Sequence, residues 1–310
     1  MAALTGVRRV ALTGSDGFLG REVTQQLQVA GHEVVPLRRG PTDLASWSAR
    51  CATVDVVIHL GAPTLRVDDD SSDEALIATR RLFDAFPDRP LSVVFAGSMA
   101  IFRSTKSVVS VSETSETWQG AALDLQDRYT RMKKQQEDLM RSLCVKRRCP
   151  LTIIRPTNVW SQQRWQQSCV GPMAGPFWLI VDPPRRLRLT HVQNCARAFV
   201  TASTTSNTAL SPREINVDDN ADVSAWHYAT RLVSRGERRY VPLPLPAWLF
   251  DGAALLAGAG MRLLMPKRRV PGLLIEDRRS ARFARFRVDT AQARGSIAWN
   301  PDLDVYRGVR

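Results

Sequence analysis

Tyr129 and Lys133 stand four residues apart in the stretch YTRMKKQQEDLMRSL, and Ser98 closes the apolar run LSVVFAGS. On a helix, residues i and i+4 share a face, so this spacing sets a phenol beside an ammonium. A free tyrosine titrates near pH 10 and is a weak base at neutrality. A neighbouring cation favours the phenolate and lowers that value, at about 1.4 kcal/mol per pH unit. The phenol then suits proton transfer to and from an alcohol or its ketone. A serine hydroxyl at a strand end suits holding the oxygen that gains or loses that proton. Taken alone, Tyr-x-x-x-Lys is more often a surface pair than a catalytic one. Its weight comes from the elements around it.

Those elements begin at the N-terminus. VRRVALT (7–13) reads as a short strand, followed by Gly14, Gly17 and Gly20, then by the helical run REVTQQLQVAG capped at Gly31, then by the strand HEVVPLRR. Strand, glycine turn, helix and strand in that order form the setting in which backbone amides and a helix N-terminus hold a pyrophosphate. Gly14, Gly17, Phe18, Leu19 and Gly20 are therefore read as cofactor-binding. The second strand ends in Arg38 and Arg39 with no acid before Asp43. A cation there accommodates a ribose 2′-phosphate, so NADP is expected, with NAD as the alternative. Asp43 and Leu44 are counted with the cofactor site. The run DVVIHLGA (55–62) is nearly all apolar, as a strand buried on both faces should be. Leu60, Gly61 and Ala62 border the cofactor, and His59 is read as a packed core residue. Strands alternating with helical stretches such as SDEALIATRRLFDAF indicate an α/β fold, a Rossmann-type doubly wound parallel sheet.

The glycine turn, VVIHLGA, FAGSMAIF around Ser98 and the Tyr129/Lys133 pair together resemble the extended short-chain dehydrogenase/reductase superfamily, in particular its NAD(P)-dependent epimerase/dehydratase family. LTIIRPTNVW (151–160), LTHVQNCARAFV (189–200), EINVDDN (214–220) and RVDTAQARGSIAWNP (287–301) follow in the family's order, so the resemblance covers almost the whole chain. EINVDDN resembles a late strand returning toward the substrate domain. The resemblance implies a Rossmann domain over residues 1–155, with residues 156–310 completing the sheet and forming a smaller C-terminal substrate domain. It implies Tyr129 as general acid/base, Ser98 as ligand of the substrate oxygen, and Lys133 as ligand of the nicotinamide ribose. Pro156 is placed beside the nicotinamide, and Met99 and Asn158 beside the substrate. Arg186 and Arg188 lie near where some sugar epimerases grip the nucleotide phosphates. Met99-Ala100 stands where the sugar 4,6-dehydratases carry Asp-Glu, so water elimination is not expected. A nucleotide sugar or related hydroxy/keto compound is the leading substrate class. A 3β-hydroxysteroid-dehydrogenase-like or small-ketone reductase is the enzyme alternative, and a non-catalytic cofactor-sensing or RNA-binding relative the non-enzyme one. A homodimer is implied as well.

Composition bounds the rest. Across 310 residues, 44% are hydrophobic and 24% charged, which excludes a disordered or collagen-like chain. The net charge of +13 attracts anions of every kind without choosing among them. Five scattered cysteines read as reduced thiols in a cytoplasmic protein, and four distant histidines show no metal-ligand spacing. Beside the arginines at 278, 279, 282, 285 and 287 only Phe283 and Phe286 offer stacking platforms, so nucleic acid is not expected; a solvated face or a phosphate cradle is. No transmembrane segment is expected. The apolar stretch 242–266 reads as a substrate-domain helix whose Leu249, Ala253, Leu256, Gly260 and Leu263 pack against the sheet. Its sharper reading is an interfacial helix, with 243–269 in peripheral contact with a membrane and Lys267, Arg268 and Arg269 meeting anionic lipid.

Overall fold

A computed structural model of the chain describes residues 6–38, 44–61, 72–103, 109–232, 240–265 and 271–307. Arg39, Asp43, Ala62 and Lys267 to Arg269 lie outside the described residues. The first half runs β1 (Arg9–Thr13), α1 (Phe18–Val29), β2 (Glu33–Leu37), α2 (Leu44–Cys51), β3 (Val56–His59), α3 (Ser72–Asp84) and β4 (Ser92–Ala96). The short β5 (Ser110–Val111) and α4 (Gly120–Asp124) lead into the long α5 (Arg128–Lys146), then β6 (Leu151–Pro156) and β7 (Asn158–Trp160).

Six strands pair in parallel, and β11 (Arg213–Val217) is the last of them, in the order β11-β6-β4-β3-β1-β2. Successive side chains on a strand point to opposite faces, and here both faces are covered. Val10 and Leu12 join a core with Val23 and Leu27 of α1 and Phe199 of α6 (Val192–Thr204). Ala11 points the other way, into a second core with Phe83 of α3 and Met140 of α5. This is the doubly wound parallel sheet that the near-continuous apolar runs predict. From β1 the chain goes to β2 on one side and then returns to β3 on the other. Such a reversal opens a crevice beyond the carboxyl ends of the strands.

The remaining elements are β8 (Met173–Ala174), β9 (Phe177–Val181), β10 (Leu189–His191), α7 (Ala225–His227), β12 (Val241–Leu245), α8 (Ala247–Leu264), α9 (Glu276–Phe283), β13 (Arg287–Val288) and α10 (Ala291–Ile297). An aromatic cluster of Trp160, Trp178, Tyr228, Tyr240 and Tyr306 forms a third core among them. The strand of EINVDDN lies in the central sheet beside β6, Ile215 opposite Ile154, and its end leads into that cluster as expected: Asp219 accepts from Tyr306 at 2.7 Å, and Ala221 and Val223 belong to the cluster. One expectation is corrected. Helix α8 does not lay its leucines on the sheet. Its close-packed side is Ala254 and Gly258, where a Cβ on Gly258 would come within 3.3 Å of the Leu274 carbonyl oxygen. Asp251 accepts a 2.7 Å bond from Arg279 of α9, and Phe250 meets Phe283 edge-on. Small residues allow that close approach, and it turns Leu249, Leu256 and Leu263 outward.

Candidate active site

The glycine turn is dictated by contact. Gly14 has φ +74°, the left-handed region that favours glycine, and a Cβ on Gly20 would lie 1.9 Å from the Gly14 carbonyl oxygen. Gly17 caps α1 with no side-chain bond, and the first turn has no acid. Its opening amides and positive dipole end therefore face the crevice uncovered by any side-chain cap. Beneath the turn, Thr13 Oγ1 accepts from the Gly61 amide at 3.1 Å and bonds His59 Nδ1 at 2.7 Å. His59 also bonds Thr79 at 3.1 Å, so its ring sits in a buried network, as the packed reading expects. At the rim, Arg38 Nε lies 3.2 Å from the Asp16 carboxylate, and both side chains are largely exposed. A dinucleotide fits this cradle: the turn offers backbone donors and no bulk.

Ser98, Tyr129 and Lys133 converge on the same cleft, whose volume is about 1000 Å³. Ser98 follows β4 and starts a single 3-10 turn, its hydroxyl accepting from the Ala100 amide at 3.2 Å. Asp127 caps α5 by accepting from Thr130 at 2.8 Å, which begins the helix in register to present Tyr129 and Lys133 together. The Tyr129 phenol is pushed above its ordinary value by desolvation, and a hydrogen bond with Ser98 pulls against that shift. Lys133 is buried; its ammonium donates to the Ala96 carbonyl at 2.9 Å and to Gln136 Oε1 at 3.4 Å. Burial lowers it to about 8, with Glu137 opposing. The ammonium is thus turned toward the end of β4, and Lys133 is not among the groups that shift the phenol.

The cleft also brings in Phe18, Leu19, Leu60, Met99, Pro156 and Asn158. Asn158 Nδ2 donates to the Arg188 carbonyl at 2.8 Å. Arg188 lies 3.9 Å over the Phe286 ring, its Nε is buried without a partner, and desolvation lowers it to about 10. Arg186 is not brought in; its side chain is largely exposed and paired with Asp222. Leu44 opens α2. Three further arginines line the cleft that the spacing near Tyr129 does not announce: Arg164, Arg278 and Arg282. Arg164 stacks 5.2 Å over Phe18. Arg278 and Arg282 occupy positions i and i+4 of α9, a spacing that puts them on one face and was the available signal. The rest of that basic run separates: Arg279 is buried against Asp251, and Arg285 bonds Asp182 at 2.6 Å.

A family model described as the NAD dependent epimerase/dehydratase family matches residues 10–174. The chain is similar in structure to UDP-N-acetylglucosamine 4-epimerase from Bacillus cereus, with 13% identity, 97% of this chain and 94% of that chain covered, and a TM-score of 0.66. It is similar to UDP-glucuronic acid 4-epimerase from Bacillus cereus in complex with NAD, with 15% identity, 97% and 96% covered, and a TM-score of 0.63. A short-chain dehydrogenase/reductase superfamily protein from Agrobacterium tumefaciens with bound NAD gives 14% identity, 96% and 94% covered, and a TM-score of 0.67. At these identities the likeness is one of fold. No curated protein matches the sequence.

Proposed function

Because the chain belongs to the NAD dependent epimerase/dehydratase family, and is an enzyme of that kind, we propose that it oxidises and reduces a secondary carbinol of a nucleotide-diphosphate sugar, epimerising it. The charge of the cleft carries this reading. Arg38, Arg164, Arg188, Arg278, Arg282 and Lys133 line it among the described residues, against Asp16 and Asp127. A desolvated arginine without a carboxylate partner at hydrogen-bond distance is costly unless an anion completes it, and guanidinium matches a diphosphate in two-point geometry. A neutral ketone or steroid leaves that charge unanswered.

A bound nicotinamide dinucleotide supplies the hydride acceptor and donor. The chain's own residues do the rest. Ser98 holds the substrate oxygen, and the Tyr129 hydroxyl, in the same cleft, takes or gives the proton. Lys133, lowered to about 8, keeps a cation in the cleft for the ribose at neutral pH. The glycine turn and α1 hold the pyrophosphate. Residues 1–155 would supply this half, and the later segments the substrate side. The five buried free thiols support placing the enzyme in the cytoplasm.

For the cofactor we read NAD rather than the NADP that Arg38 alone suggests. Asp16 holds Arg38 in an ion pair at the rim, and its carboxylate repels a 2′-phosphate while accepting from a free 2′-hydroxyl.

The test is the melting temperature of the NAD-loaded protein against UDP, dTDP and GDP. A ligand at a hundred times its Kd adds about 2.7 kcal/mol, so a clear rise with one diphosphate is expected. A flat panel, with NAD alone stabilising, would move the substrate to an uncharged hydroxy or keto compound.

A further inference from the structure

Helix α8 inverts the usual surface pattern: its buried residues are the small Ala254 and Gly258, while Trp248 and most of its leucines face out. At 100° per residue, Leu249, Leu256 and Leu263 form one column, with Trp248 and Leu255 beside it and Leu264 on the other flank. Trp248 is 75% exposed, Leu256 77% and Leu263 82%. Across this half-circumference no charged residue intervenes, since Asp251 turns inward to Arg279 and Arg262 stands at the margin. Apolar faces of this extent on a folded chain mark an interaction site.

We propose that this face docks the protein onto an anionic lipid bilayer, with α8 lying in the plane of the interface. Charge selects the occupant. The chain carries +13, and in the sequence Lys267, Arg268 and Arg269 begin three residues past the helix's last leucine. That charge repels a second copy and attracts acidic headgroups. Trp248, at the start of the helix, is the side chain that favours the headgroup boundary. By length and composition α8 is able to cross a membrane, but its attachments fix it to the surface. Eighteen residues rise about 27 Å, just under a hydrocarbon core of about 30 Å. Spanning would also tear Asp251 from Arg279 and carry both Asp251 and Arg262 into lipid. Behind α8, α9 contributes Arg278 and Arg282 to the cleft, so the bound enzyme would present its cleft wall next to the membrane.

Flotation of the full-length protein with vesicles tests this. Vesicles of phosphatidylglycerol and phosphatidylcholine should carry the protein upward, and pure phosphatidylcholine should carry much less. The double variant Leu256→Ser, Leu263→Ser should partition about a hundredfold more weakly, because two leucines leave the acyl boundary. The same variant should keep its melting temperature and its NAD-induced shift, since neither residue is packed. Failure of the wild type to float overturns the proposal, as does flotation undiminished in the variant. A wild-type dimer that the variant converts to monomer, without vesicle binding by either, also overturns it and makes the face a contact between copies. None of these outcomes depends on which substrate the cleft takes.

Discussion

At the scale of single residues, the cleft pairs a raised phenol with a lowered ammonium, and these shifts have consequences. Tyr129→Phe removes the proton carrier but no cofactor contact of the glycine turn. Turnover should fall by about a hundredfold or more while NAD affinity, read by fluorescence titration, changes little. Near-normal turnover in this variant would remove Tyr129 from the chemistry. Asp16→Asn releases Arg38 and takes away the charge that opposes a 2′-phosphate. The ratio of NADP to NAD affinity should rise by about tenfold; an unchanged ratio would leave Arg38 a solvated residue. The groups named in these two tests were readable at short range: three glycines in a fixed spacing, a phenol and an amine one helical turn apart. Arg278 and Arg282 were readable as part of a basic run fit to cradle a phosphate, but not as members of this cleft, because they reach it from a helix about 150 residues beyond Tyr129. Arg186, adjacent in sequence to the right region, sits instead on Asp222.

At the scale of elements, the register of α5 against the sheet sets where Tyr129 and Lys133 meet Ser98. A buried charge cluster locks it. Arg155 of β6 donates to Glu137 of α5 at 2.7 Å and to Glu214 of β11 at 2.6 Å, while Arg141 bonds the same two carboxylates. Gly97, next to Ser98, leaves room for it: a Cβ there would stand 2.9 Å from Arg155. Removing one partner of a buried pair strands the other charge, which costs about 3–5 kcal/mol. Glu137→Gln keeps the shape, so the expected loss is on the order of 3 kcal/mol in urea unfolding, with turnover falling beyond what the lost stability explains. Strand and helix identities were legible here from apolar runs and 3.6-residue spacing. The packing side of α8 was not. Periodicity marks which residues share a face but not whether that face meets protein, and in α8 the small residues took the protein side.

At the scale of the whole molecule, stability is linked to pH through two carboxyls at the end of EINVDDN, a motif read for its strand and not for its acids. Asp218 and Asp219 follow β11 and are buried, with Asp218 Oδ2 and Asp219 Oδ1 lacking partners. Desolvation raises Asp218 to about 7, against bonds from the Asn220 amide and Thr157, with Asp219 repelling it and Arg188 attracting it. Desolvation raises Asp219 to about 6, opposed by the His191 amide, Asn194, Tyr306 and Arg197. A folded value above the unfolded one means that the native protein keeps a proton the unfolded chain has released. The stability this contributes is complete below about pH 4 and is lost as pH rises through 6 to 7. Other groups, such as Glu214 with its lowered value, pull the opposite way at lower pH, so wild type alone does not isolate the effect. Comparison with Asp218→Asn does, because the amide cannot ionise. Any constant cost of the substitution cancels between two pH values. From pH 5 to pH 8 the difference in unfolding free energy should move by on the order of 2 kcal/mol in favour of the variant. Melting curves of both proteins at the two pH values read it directly. A gap that stays constant would mean that Asp218 is already ionised at pH 5, balanced by Arg188, and that the end of β11 is more polar than its burial implies.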